Sequence, residues 1–330
     1  MKKILEIKRG QIVEREHSGV LFLSDSQKIL ASHGDDSQKT CYYLRSCAKP
    51  LQSAVLQDLG VFEYFNFSQE EIAVVSSSHS GAFGHVSVIE GLLAKIGKTQ
   101  NDLICGAHMP WDSQAKEYLI KNDLVPSAIH NNCSGKHTGF LAACVMNGWD
   151  TSNYTDFEHP LQELIIEKMS EYYDFEPKYL SKDGCGAPIM AMPFENMCKG
   201  FLKCFQDYPK IQEAFAEQPY LIGGYGKIDS EIIFASNGRL VSKVGAEGLC
   251  MVYNLKKEQV LLVKIADSNN QARAIVLIEA LRQLEWLSLD EIKNNPIVRL
   301  FDKNVKTVFG DIVGEISPVF ELSKSFVKSF

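Results

Sequence analysis

Ser46-Cys47-Ala48-Lys49 places a hydroxyl and an amine three residues apart, close enough on a helix for the lysine to reach the serine oxygen. A neutral amine in that position can take the serine proton and make the oxygen a nucleophile for acyl transfer. Pro50 limits where a helix can begin, because a proline ring is tolerated only in the first turn. From Pro50 to Leu59, Leu51, Ala54, Val55, Leu56 and Leu59 recur at helical intervals, so the spacing predicts a helix with a buried face. Ser46 then stands at its N-terminus, where the dipole favours a developing alkoxide. The same string occurs by chance in long chains, and a serine before a helix commonly serves as a cap.

A second hydroxyl cluster, Ser76-Ser77-Ser78-His79-Ser80-Gly81, follows Ile72 to Val75, which reads as a buried strand. Small hydroxyls and glycine there can line a site or simply form a turn. Downstream, Lys264 interrupts the apolar run Val260 to Ile265. An unpaired ammonium is costly to bury, so such a lysine tends to have a lowered pKa, a charge partner or a role as a base. A lysine facing water on an edge strand fits the same run, and its apolar neighbours leave both readings open.

The polar loop Asn131-Asn132-Cys133-Ser134-Gly135-Lys136-His137-Thr138-Gly139 leads into another helical segment. It is not a phosphate loop, since His130 occupies the first glycine position and His137 follows the lysine. Gly224-Tyr225-Gly226 likewise lacks the third glycine of a dinucleotide fingerprint, having Asp229 there. Asp183-Gly184-Cys185-Gly186 supplies a second thiol in polar surroundings. Cys133 and Cys185, with a nitrogen from Lys136 or His137, have the donor types zinc prefers. No H-E-x-x-H or paired C-x-x-C supports a metal independently.

These groups must be held by elements at both ends and in the middle of the chain. Residues 3 to 34 read as a meander of strands with turns at Arg9-Gly10 and Asp25-Ser26. From about 85 to 217 the patterns are mostly helical, including Val86 to Ile96, Ser113 to Ile120, His137 to Met146, Leu161 to Tyr173 and Asn196 to Phe205. Strands return at Arg239 to Val244, Leu249 to Asn254 and Val260 to Ile265, followed by a helix over Gln271 to Trp286 and a last strand within Val305 to Phe320. The expectation is an α/β (α+β) fold in one unit over 1–330. Its mainly antiparallel sheet comes from about 1–80 and 220–330, with flanking helices and an inserted helical lobe at about 85–217. A crevice between sheet and lobe would be the natural place for a site.

At 330 residues and 45% hydrophobic content the chain can bury a large core. A net charge of -7 with no Lys/Arg-rich run argues against nucleic acid. No apolar signal core follows Met1-Lys2-Lys3, and no run approaches the ~20 apolar residues of a membrane span. Nine cysteines, an odd count, fit reduced thiols better than disulfides. The protein is expected to be cytoplasmic.

Taken together, the segments resemble the class 3, rhizobial-type L-asparaginases over nearly the whole chain. The marks are Arg45 to Pro50, Ser78-His79, Asn131 to His137, His159-Pro160-Leu161-Gln162, Asp183 to Gly186 and Lys264. The resemblance implies a fold like that of serine β-lactamases, penicillin-binding proteins and glutaminases, whose S-x-x-K serine also heads a helix. It implies hydrolysis of L-asparagine to L-aspartate and ammonia by two Ser-Lys pairs, Ser46 with Lys49 and Ser78 with Lys264, with Ser46 favoured as nucleophile. It puts one zinc per chain on Cys133, Lys136 and Cys185, with water as fourth ligand, and makes Arg45, His79, His137 and Asp183 the groups expected to hold that water or the substrate. Lys136 must lose its proton to bind metal, so metal affinity should fall with pH. A homodimer is implied as well. Where the family usually places arginine, this chain has Lys227 in Gly226-Lys227-Ile228-Asp229-Ser230; Glu247, in a Gly-rich turn, is a further polar candidate. A glutaminase or another β-lactamase-like amide hydrolase, and a zinc-binding protein without catalysis, are the competing readings.

Overall fold

The structure is a computed structural model and describes residues 1–34 and 40–322, so positions 35–39 and 323–330 of the expected sheet part lie outside the described residues. Three strands open the chain, β1 (Lys2–Arg9), β2 (Ile12–Ser24) and β3 (Ile29–His33). Further strands are β4 (Tyr42–Tyr43), β5 (Leu180–Lys182), β6 (Pro188–Met192), β7 (Leu240–Val244), β8 (Leu249–Asn254), β9 (Gln259–Ile265), β10 (Asn304–Lys306) and β11 (Ile312–Pro318). The main sheet has the order β10-β11-β1-β2-β9-β8-β7, with all its pairs antiparallel. β2 is long enough to pair β1 up to Gly19 and then β3 from Leu21. A small sheet, β4-β6-β5, takes β5 and β6 from the segment expected to be mostly helical and β4 from ahead of it.

Helices α1 (Lys49–Asp58), α2 (Val61–Tyr64), α3 (Gln69–Val75), α4 (Phe83–Lys95), α5 (Ser113–Lys121), α6 (Ser134–Asn147) and α7 (Pro160–Tyr173) follow the first strands. Then come α8 (Phe194–Asp207), α9 (Pro209–Glu217), α10 (Pro219–Ile222), α11 (Ile228–Ala235), α12 (Asn270–Gln283) and α13 (Leu289–Lys293). No helix among the described residues is long and apolar enough to cross a membrane.

The continuous apolar runs of the central strands follow from burial on both faces. On β2, Val20 and Phe22 enter the core shared with α1 and α8, whereas Leu21 and Leu23 enter the core under α12. β9 divides the same way, Val260 and Leu262 against Leu261, Val263 and Ile265. Period-two alternation sends neighbours to opposite layers, so truncating Leu262 to alanine would cost about 2–5 kcal/mol.

Two elements differ from expectation. Ile72 to Val75 is the end of helix α3, not a strand. Ser68 accepts the Glu71 N-H while the Glu71 carboxylate accepts the Ser68 N-H at 2.7 Å, and this capping box outweighs the β-branched run that follows. Val305 to Phe320 is a hairpin, β10 and β11, because Gly310 at φ +98° turns the chain.

Candidate active site

The serine turn is held from several sides. Residues Arg45–Ala48 form a 3-10 turn leading directly into α1, with Pro50 in its first turn. Arg45 has φ +49°, an uncommon conformation for a residue with a side chain, and stored strain of this kind clusters at functional sites. Its Nε donates to Asp183 Oδ1 at 2.7 Å, and its Nη1 lies 3.5 Å from Glu247 Oε1. Cys47 Sγ donates to Lys243 O at 3.1 Å, tying the turn to β7.

Ser46 and Ser78 open onto one cavity of about 670 Å³, whose wall also includes Asn132, Lys227, Asp229, Glu247 and Arg273. Ser78 follows α3, and its N-H donates to Ile222 O at 3.3 Å. Two lysines converge on its hydroxyl: Lys49 Nζ at 3.0 Å and Lys243 Nζ at 2.9 Å. Lys49 also donates to Ser77 O at 2.6 Å and Asn132 O at 3.2 Å, so it points toward the second serine and the polar loop rather than back to Ser46. Burial lowers the Lys49 pKa, and the nearby charges of Lys243 and Lys136 add to this against the opposing pull of Cys133. A lysine depressed in this way is suited to act as a base.

The expected partner of Ser78 was Lys264, and the structure places Lys243 there instead. Lys264 Nζ donates to Glu247 O and lies 3.4 Å from Ile265 O. The reason is strand position. β9 lies two strands in from β7, and at ~4.8 Å per strand that leaves it about 10 Å away. Lys243 sits two residues from Val241, which is buried toward the helical layer, and alternation along β7 was the signal that could have found it.

His79 is fully buried beside the cavity rather than on it. Its Nδ1 accepts the Gly81 N-H at 3.1 Å, so Nε2 carries the proton and donates to Ser134 Oγ at 3.0 Å, which in turn donates to Ile129 O at 2.7 Å. Burial pushes its pKa well down, so it is a neutral strut at the start of α6.

The thiol cluster is assembled by a close helix approach. A Cβ on Gly135 would come within 2.3 Å of Val74 O, so glycine is what allows α6 to press against α3 and bring Lys136 inward. Lys136 Nζ lies 3.2 Å from Cys185 Sγ, and the Cys133 thiol hydrogen-bonds Cys185. That bond, with Lys136 and His137 nearby, holds Cys185 low, while Cys133 keeps its proton. Burial alone would lower Lys136, but the two thiols and Asp183 raise it. His137 Nδ1 is 3.0 Å from Tyr154 Oη, leaving its buried Nε2 without a hydrogen-bond partner. Two thiols and an amine, from Cys133, Cys185 and Lys136, fit a zinc ion by donor type, provided Lys136 is deprotonated. Among the described residues no cluster of three or more His, Cys, Asp or Glu side chains could hold a metal, so lysine would have to complete the set. The Arg45–Asp183 bond joins this cluster to the serine turn.

The family model for L-asparaginase II matches residues 5–318. No curated protein matches the chain. Among solved structures it is similar to a candidate β-lactamase from Bacteroides dorei, at 12% identity over 76% of this chain and 85% of that chain, with a TM-score of 0.42. It is also similar to a β-lactamase from Mycobacterium bovis, at 14% identity over 82% of this chain and 96% of that chain, with a TM-score of 0.42.

Proposed function

Because the chain belongs to the L-asparaginase II family, we propose that it hydrolyses the side-chain amide of L-asparagine through a serine acyl-enzyme served by Lys49, Lys243 and Ser78. The observation that carries this reading is the convergence of both lysines on Ser78 Oγ, at 3.0 and 2.9 Å. A hydroxyl between two amines can accept a proton from one and pass its own to the other.

Ser46 faces the same cavity from the strained turn ahead of α1 and is the attacking hydroxyl. Its proton passes to Lys49 by way of Ser78, the hydroxyl that Lys49 contacts at 3.0 Å, with burial favouring Lys49 as the neutral amine. As the tetrahedral intermediate collapses, Lys243 delivers a proton through Ser78 to the departing nitrogen, and ammonia leaves. Water then attacks the aspartyl ester, with the same groups moving protons in reverse. General acid–base help of this kind supplies about 10²–10⁴-fold in rate. A second reading makes Ser78 the nucleophile, favoured by its direct contact with both amines.

Cys133, Lys136 and Cys185 would hold a zinc ion, which when bound would supply a fixed positive charge able to orient or polarise the substrate. The family resemblance supports a homodimer, and nine cysteines that fit reduced thiols support a cytoplasmic setting.

The test is ammonia release from L-asparagine and L-glutamine by wild type and Ser46→Ala. Asparagine-selective release lost in the variant supports the reading. Equal release from both amides would move the assignment to a broader amidohydrolase, since one methylene is worth only ~1–3 kcal/mol of discrimination. Trapping the acyl group and locating it by mass on Ser46 or Ser78 separates the two nucleophile assignments.

A further inference from the structure

The two lysines on Ser78 differ in one respect. Lys243 has a carboxylate within ion-pair distance, 3.7 Å to Asp229 Oδ2, whereas among the described residues Lys49 donates only to carbonyl and hydroxyl oxygens. Asp229 lies in the first turn of α11 and is 4% exposed. Both of its oxygens are spent on β7: Oδ1 accepts the Ser242 hydroxyl at 2.8 Å and Oδ2 accepts the Val244 N-H at 2.9 Å. These are the residues on either side of Lys243. β7 is the last strand of the sheet, so the carboxylate receives a backbone N-H that has no further strand to meet.

The geometry points to Asp229 as the positioning residue of this active site: it pins the end of β7 and supplies the counter-charge that lets Lys243 stay buried against Ser78. The inference rests on the acyl-transfer reading above and deepens it. Lys243 is completely buried, and an ammonium there without a compensating charge is expensive. Its four-carbon stem is flexible, so its place must be set by what holds the strand and what receives its protons. Ser78 Oγ and Val244 O receive two, at 2.9 and 2.8 Å, and Asp229 faces the third. The charged and titratable groups around it are Lys49 from α1, Arg273 from α12, and the thiols of Cys47 and Cys250; Asp229 is the acid among them. Asp229 therefore makes two chemically identical side chains unequal, which is how a site divides the tasks of acid and base.

Asp229→Asn keeps the shape and removes the charge. The expected result with L-asparagine is a kcat about 10²-fold lower and a KM within about twofold of wild type. In a Lys243→Met background the same substitution should add no further loss, since the two residues act as one unit. An unchanged kcat, or losses that multiply in the double variant, would overturn the role of Asp229. Should Asp229→Asn fail to fold, the double variant Asp229→Asn/Lys243→Met removes both charges together. Recovery of folded protein then supports the pairing, and continued failure assigns Asp229 to Ser242 and Val244 alone, overturning it. A wild type that releases no ammonia would instead remove the acyl-transfer reading itself.

Discussion

Lys49 and Lys243 reach the same oxygen from different layers of the molecule, one from the buried start of α1 and the other from the edge strand β7, 3.0 and 2.9 Å from Ser78 Oγ. The serine hydroxyl is thus the junction between the helical lobe and the sheet. Anything that shifts one layer against the other changes both contacts together.

Substituting the two strand lysines should separate them. Lys243→Ala is expected to lower kcat for asparagine hydrolysis by about 10²–10⁴-fold. Lys264→Ala should retain activity within about tenfold and show its effect in Tm, because Lys264 holds the Glu247 turn through its carbonyl. The opposite ranking, read by ammonia release and thermal melts, would return the catalytic pairing to Lys264.

Activity should rise with pH through the titration of Lys49. Burial holds its pKa below the usual lysine value of 10.5, and only the neutral amine can accept the serine proton. Below that depressed value kcat/KM should fall about tenfold per pH unit. Lys49→Arg, which stays charged throughout, should be inactive at every pH; a variant with a normal profile would remove Lys49 from the proton path.

Acid stability should depend on Glu279 of α12. Burial alone would raise its carboxyl, but hydrogen bonds from Arg282, Gln283 and Lys303 outweigh this and hold it at about 2. A depressed carboxyl contributes fully above its ordinary value of 4.5 and loses that contribution as pH falls through about 2. Glu279→Gln should therefore cost about 2 kcal/mol near pH 7, and denaturant melts of variant and wild type should converge in acid. A gap that persists at low pH would mean the loss is packing.

Metal content gives an independent check on the thiol cluster. Wild type should carry about one zinc per chain by elemental analysis, and Cys133→Ser and Cys185→Ser should each lose most of it, since thiolates are the soft donors of the set. His79→Asn should retain the metal, because its ring bonds only Gly81 and Ser134. Full occupancy in either serine variant would rule out these ligands.

The sequence pattern made the sheet from both ends and the helical middle legible, because alternation and helical periodicity are local signals. Ser46 and Lys49 stood out by type and spacing, while Ser78 and the set Cys133, Lys136 and Cys185 were singled out by the family resemblance; the structure brings both serines to one cavity and the three donor side chains of the thiol cluster into contact. Lys243 did not stand out, since Ser242 and Val244 beside it look like any strand and only strand order places it at Ser78. Lys264 misled for the converse reason: its apolar neighbours signalled burial, but burial says nothing of which strand is nearest the serine. The strand expected at Ile72 to Val75 is helix because the capping box in front of it outweighs the preference of four β-branched or small residues.

The pairing of β1 with β11, Leu5 opposite Pro318, governs how the protein comes into being. β1 is made well before β11 and must wait for it before its outer edge is covered. Until then, Ile4, Leu5 and Ile7 lie along an open row of amides and carbonyls, the kind of edge that recruits other chains. Contacts so distant in sequence also slow folding. The yield of active protein should therefore be set by how that edge is shielded during synthesis, by temperature, rate of translation and chaperone supply, more than by the stability of the finished sheet.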